Sequence, residues 1–149
     1  MKIALASDHR GFDFKNLIAE YLAKIGHETV DLGTKNGNDS VDYTDFGLEA
    51  AKAVGSGECD RAILVCGTGL GMSLIANKVK GVRATVCHDL FTVEMSRKHN
   101  NANVLCLGAD VVDHELLEQK IKLFIETTFE GGRHARRVGK IMDAESNEK

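Results

Sequence analysis

The 149-residue sequence predicts an α/β fold: a doubly wound, five-stranded parallel sheet with helices on both faces and an extra C-terminal helix. Three observations predict it. Five short apolar runs read as strands, stretches with helical spacing lie between them, and the two kinds of segment alternate along the chain.

The first run, "KIALAS" (2–7), is apolar almost throughout, as a strand buried on both faces of a parallel sheet should be. Phe14, Leu17, Ile18, Tyr21, Leu22 and Ile25 then form an amphipathic stripe and predict the first helix. "HETVDLG" (27–33) is the second strand and 44–54 a weaker helix. "RAILVCG" (61–67) and "GVRATVC" (81–87) are the third and fourth strands, followed by helices over 70–79 and 89–98. "NVLCLG" (103–108) is the fifth, and Leu116, Leu117, Ile121, Phe124 and Ile125 repeat the helical stripe. A polar, amphipathic helix over 133–146 closes the order β-α-β-α-β-α-β-α-β-α-α, which right-handed crossovers wind into a Rossmann-like sandwich. No repeat, low-complexity segment or linker interrupts it. Residues 1–149 are expected to form one domain, with 131–149 a C-terminal helix and tail contacting a partner subunit.

Composition narrows the function classes. A hydrophobic fraction of 43% with 28% charged residues is that of a globular protein. A formal charge of −3 argues against generic nucleic-acid binding, although "GGRHARRVGK" (131–140) concentrates Arg133, Arg136, Arg137 and Lys140. No run of about 18 apolar residues suggests a membrane span. The amino-terminal "MKIALASDHRGF" reaches charge at Asp8, too early for a signal peptide, so a cytoplasmic location is expected. Cys59, Cys66, Cys87 and Cys106 stand 7, 21 and 19 positions apart, without a C-x-x-C pair. Reduced thiols and no metal site are the expectation.

In a doubly wound sheet, ligands bind beyond the carboxyl ends of the strands, near the switch in strand order. That rule selects "SDHRGF", "GTKNGNDSVDY", "CGTGLGMS", "CHD" and "GAD". In "CGTGLG" the glycines fall at 67, 69 and 71, with Met72 where a dinucleotide fingerprint needs its third glycine, and no G-K-[ST] follows. What remains is a glycine-rich turn into a helix, either an anion or oxyanion cradle or simply a tight turn. Cys66 before it is either a packed thiol or a thiolate favoured by the helix start. Asp8 and His9 read equally as a helix cap and as groups that move protons or bind an anion. His99 and Asn100 precede the fifth strand, at the wrong end of the sheet for a site in the same subunit. They either complement a helix C-terminus or face a neighbouring subunit. Arg133 and Arg137, four apart, share one helical face suited to gripping a phosphate, or form a solvated face. Cys87, His88 and Asp89 read as core plus cap, and Cys59 and Cys106 as packing.

Together, "SDHRGF", "DY" (42–43), "ILVCGTGLGMSLIANK", "HNNANVL" and "FEGGRHARRV" resemble, in order and spacing from residue 3 to about 141, the ribose-5-phosphate isomerase B family, which includes galactose-6-phosphate isomerase subunits. The resemblance implies interconversion of D-ribose 5-phosphate and D-ribulose 5-phosphate, a pentose phosphate pathway step, through a cis-enediolate and without a metal or organic cofactor. It implies that Cys66 is the base and that Gly67, Thr68, Gly69, Leu70 and Gly71 surround the enediolate oxygens, with Thr68 placed to relay a proton. His99 matches the ring-opening histidine. Asp8 and His9 match substrate contacts, with Asp42 and Tyr43 nearby, and Asn100, Arg133 and Arg137 match further substrate and phosphate contacts. The resemblance also implies a homodimer, or a tetramer of paired dimers, with shared sites, so that His99 and Asn100 serve the partner's site. One departure stands out: many members carry arginine in the turn after the fifth strand, where this chain reads "LGAD" and has Asp110. That leaves Arg133 and Arg137 as the main phosphate grip. The alternatives are an isomerase of a hexose 6-phosphate such as allose 6-phosphate, or a non-catalytic sugar-phosphate sensor. An NAD-dependent oxidoreductase is disfavoured by the glycine spacing.

Overall fold

The computed structural model describes residues 1–147; the last two residues of the expected tail lie outside them. Five parallel strands, β1 (Lys2–Ser7), β2 (Glu28–Asp31), β3 (Arg61–Cys66), β4 (Ala84–Val86) and β5 (Val104–Gly108), form one sheet in the order β2-β1-β3-β5-β4. The helices are α1 (Phe12–Lys24), α2 (Tyr43–Gly55), α3 (Leu70–Ala76), α4 (Leu90–Lys98), α5 (Leu117–Glu126) and α6 (Arg133–Asn147), and a 3-10 turn at His114–Leu116 leads into α5. Each expected strand and helix is present, in the expected order.

The central strands β1, β3 and β5 are buried along nearly their whole length, which explains their continuous apolar reading. The edge strands β2 and β4 are only partly buried and shorter than the apolar pattern suggested. The helix expected over 70–79 ends at Ala76. There the Asn77 side chain turns to the edge strand, donating to the Ala84 carbonyl and accepting its amide, both at 2.9 Å.

The register Leu5–Ile63–Leu105 places alternate residues on opposite faces. Ile3, Leu5, Ile63, Val65, Leu105 and Leu107 pack under α1, α4 and α5 with Ile18, Leu22, Val93, Ile121 and Phe124. Ala4, Ala6, Ala62, Leu64 and Cys106 face α2 and α3, where Ala50, Ala51, Met72 and Ala76 complete a core of small side chains. That face is close-packed: a Cβ on Gly47 of α2 would lie 2.7 Å from Met72 Sδ of α3. The chain steps from β1 outward to β2, then returns across β1 to β3, so the helices on either side of β2 fall on opposite faces. A crevice therefore opens between the carboxyl ends of β1 and β3.

Candidate active site

Cys66, the last residue of β3, is 4% exposed and pairs in register with Gly108 of β5. Beyond it the ladder continues into the loops. The Ala109 amide donates to the Cys66 carbonyl at 2.8 Å, and the Asp110 amide to the Gly67 carbonyl at 3.0 Å. Gly69 turns the chain into α3 with φ +80°, a left-handed conformation that favours glycine. That turn aims the Gly69 amide back at Cys66, where it donates to Sγ at 3.2 Å. An N–H aimed at sulfur is the partner an anionic sulfur takes. Burial pushes the thiols of Cys59, Cys87 and Cys106 up from their ordinary value. Of the four cysteines, Cys66 is the one that receives the Gly69 amide and lines the recess described next.

The loop forms one wall of a recess of about 310 Å³ lined by Asp8, Arg10, Tyr43, Cys66, Gly67, Thr68, Gly71 and Leu74. Asp8 is buried, and its Oδ1 accepts the Arg10 amide at 3.0 Å and the Gly11 amide at 3.1 Å. The two readings of Asp8 are therefore compatible: it closes the turn into α1 and also faces the recess. The loop after β2 is tied down by its neighbours. Buried Lys15 donates to the Thr34 carbonyl at 2.6 Å and to Asp31 at 2.7 Å, and His9 Nδ1 accepts the Val41 amide at 3.2 Å. That anchoring delivers Asp42 to the N-cap of α2 and the Tyr43 ring against Gly71, where a Cβ would lie 2.5 Å from the ring. A larger cavity of about 390 Å³ between α1 and α5 contains none of the predicted site residues.

His99, Asn100, Arg133 and Arg137 lie elsewhere. His99 is the C-cap of α4, ahead of the amino end of β5, and its ring stacks on His134 of α6 with centroids 4.1 Å apart and planes 9° apart. Arg133, Arg137 and Asn100 are exposed around that stack. His134 is buried, and its Nε2 lies 3.5 Å from Glu130 Oε2. Burial, reinforced by the neighbouring His99 and Arg133, holds the His134 imidazole below the usual histidine range. Ligand-capable atoms of His99, Glu130 and His134 lie within 4.8 Å of one another. With the rings nearly parallel, their lone pairs lie in parallel planes, so one ring must turn before both could bind one ion.

Five strand residues, about 17 Å at 3.3 Å each, separate this group from the Cys66 end of the sheet. One copy of the chain does not bring both groups to one small substrate. The structure also shows recess residues outside the expected set, Arg10 and Leu74. Arg10 lies within "SDHRGF", where position after a strand was the available signal. Leu74 enters only because of the face that α3 turns outward.

A recess at the switch point of a doubly wound sheet, with a buried thiol beneath a glycine-rich loop that is neither common nucleotide loop, is where an α/β enzyme of this architecture holds a small molecule. The chain belongs to the Ribose/Galactose Isomerase family, whose model matches residues 3–141. It is 42% identical over 144 residues to ribose-5-phosphate isomerase B of Escherichia coli, covering 97% of this chain and 96% of that one. The solved structure of ribose-5-phosphate isomerase B from Clostridium thermocellum superposes with a TM-score of 0.97 at 51% identity, covering 100% of both chains. That of Mycoplasma genitalium with bound ribulose-5-phosphate superposes with a TM-score of 0.94 at 40% identity, covering 98% of this chain and 97% of that one.

Proposed function

We propose that the protein interconverts D-ribose 5-phosphate and D-ribulose 5-phosphate by proton transfer through a cis-enediolate, with Cys66 as the base. The observation that carries this reading is the placement of Cys66 at the floor of the recess, with the Gly69 amide on its sulfur, in a chain of this family. In the aldose-to-ketose direction the Cys66 thiolate takes the proton from C2. The C2–H electron pair becomes the C1–C2 double bond, and the negative charge moves onto the oxygen at C1. Loop amides other than those of Gly69 and Leu70, which go to Cys66 Sγ and Thr68 Oγ1, stabilise that oxygen, and the exposed Thr68 hydroxyl relays a proton between the two oxygens. Returning the cysteine's proton to C1 gives the ketose. Every electron stays within the substrate, so the step needs no redox cofactor.

His99 opens the furanose ring, Asn100 contacts the sugar, and Arg133 and Arg137 hold the phosphate, all in the site of a second copy. The separation of the two groups along the sheet supports this homodimeric arrangement. So do Leu70, Leu74 and Phe91, which stand 57%, 67% and 68% exposed, with Leu74 at the recess. The chain acts as one domain. Four free cysteines fit the reducing cytoplasm, where the pentose phosphate pathway would use this step. Asp110 at the rim of the recess favours one second reading, an isomerase of a longer hexose 6-phosphate such as allose 6-phosphate. The test is turnover by the purified, chelator-treated protein on ribose 5-phosphate and on hexose 6-phosphates side by side. Faster turnover of the pentose phosphate is expected. Faster turnover of a hexose 6-phosphate would overturn the substrate, and binding without turnover would make the protein a sensor.

A further inference from the structure

We infer that Arg10 is a substrate-binding residue of the Cys66 recess, gripping the phosphate from the same chain that supplies the base; this rests on the sugar-phosphate reading above. Arg10 is the one cation among the described residues that line the recess. Its position follows from the local fold. Asp8 Oδ1 accepts its amide, and at the next residue, Gly11, a Cβ would lie 2.5 Å from the Val65 carbonyl oxygen, so the turn runs tight against β3. The Arg10 side chain consequently crosses the first glycine of the cradle. A Cβ on Gly67 would lie 2.9 Å from Arg10 Nη1 and 3.0 Å from its Cζ. The missing side chain at 67 is what lets a guanidinium rest on the loop.

Arg10 Nη2 forms an ion pair with Asp110 Oδ2. The Asp110 backbone is fixed to the Gly67 carbonyl, so the pair ties the loops after β1, β3 and β5 into one rim. A guanidinium has five N–H donors in a planar fork, and this contact occupies only its Nη2 end. The Arg10 side chain is 56% exposed, which leaves its other donors open to a ligand. A phosphate dianion is the part of the proposed substrate that such donors fit best. Arg133 and Arg137 lie with His99 at the far end of the sheet, so Arg10 is the cation that one copy can offer next to its own cysteine. A phosphate anchored there sets how far along the sugar chain C2 falls from Cys66 Sγ.

The test combines steady-state kinetics on ribose 5-phosphate with competitive inhibition and calorimetric binding of inorganic phosphate, in the full chain and in Arg10→Ala and Arg10→Lys. In Arg10→Ala the KM for ribose 5-phosphate and the phosphate inhibition constant should each rise about tenfold, with kcat changed less than about threefold. Arg10→Lys should recover part of both, and binding of unphosphorylated ribose should not change. If Arg10→Ala keeps its thermal midpoint and leaves both constants within about twofold, the assignment is overturned. A fall in kcat without a rise in KM also overturns it. Phosphate binding that depends on Arg10 in a wild-type protein without isomerase turnover would sink the isomerase reading while leaving Arg10 in its place.

Discussion

Gly108→Ala tests whether the cradle is held in place by the end of β5. A Cβ at 108 would lie 2.6 Å from the Thr68 carbonyl carbon, 2.7 Å from Thr68 Cα and 2.6 Å from Val111 Cγ2. These distances fall roughly 0.8 Å short of ordinary contact. Two of the three atoms are backbone of the cradle itself, so relief must come from moving Thr68 off the sheet rather than from rotating a side chain. Overpacking of this kind costs about 1–3 kcal/mol, or roughly 2–12 °C in the midpoint of a chain this size. Displacing Thr68 by most of an ångström should also lower kcat/KM by up to about a hundredfold. Thermal unfolding and steady-state kinetics on ribose 5-phosphate measure both effects. A variant with a midpoint within about 1 °C of wild type and kcat/KM within about twofold would refute the claim that β5 supports the cradle.

Gly139, inside α6 with nothing within 4 Å of its would-be Cβ, should behave oppositely: Gly139→Ala stabilises by about 0.5–1 kcal/mol, read as a higher thermal midpoint. Burial, then His99 and Arg133, hold the His134 imidazole below its ordinary value, so below a pH of about 6.5 the unfolded chain takes up a proton that the folded chain resists. Stability should therefore fall as pH drops below that value, with a shallower slope in His134→Gln; a rise on acidification would contradict the sign. Iodoacetamide should label Cys66, which lines the recess, ahead of Cys59, Cys87 and Cys106, whose thiols burial pushes up, as peptide mass spectrometry would show, and equal labelling of any of these three would contradict that order. Mixing inactive Cys66→Ala and His99→Asn chains should restore about a quarter of wild-type activity, because half the dimers then hold one intact site out of two. No recovery would place both residues in one subunit's site or in none.

The parts of the fold that could be read from the sequence are those where burial leaves a continuous signal. β1, β3 and β5 are apolar because both their faces are covered, and α1 and α5 show a stripe because only one of theirs is. β4 is only three residues long, and its end of the crossover is shaped by the Asn77 side chain, which no periodicity reports. The switch-point rule located the loops carrying Asp8 and Cys66, because it depends on element order alone. It could not reveal the pairing of Arg10 with Asp110, 100 positions apart, or the stacking of His99 on His134. Those contacts depend on where loops end up once the helices have packed. Their residue types were visible in advance, and their partners were not.

Running the isomerisation in deuterium oxide and following the isotope at C1 and C2 by NMR, with wild type and Cys66→Ala side by side, shows whether Cys66 moves a carbon-bound proton. Wild type should give ribulose 5-phosphate whose new C1 hydrogen divides between the one taken from C2 and solvent deuterium exchanged through the Cys66 thiol, and Cys66→Ala should show neither isotope incorporation nor turnover at an unchanged thermal midpoint. Isomerisation by Cys66→Ala at the wild-type rate would contradict that role for Cys66.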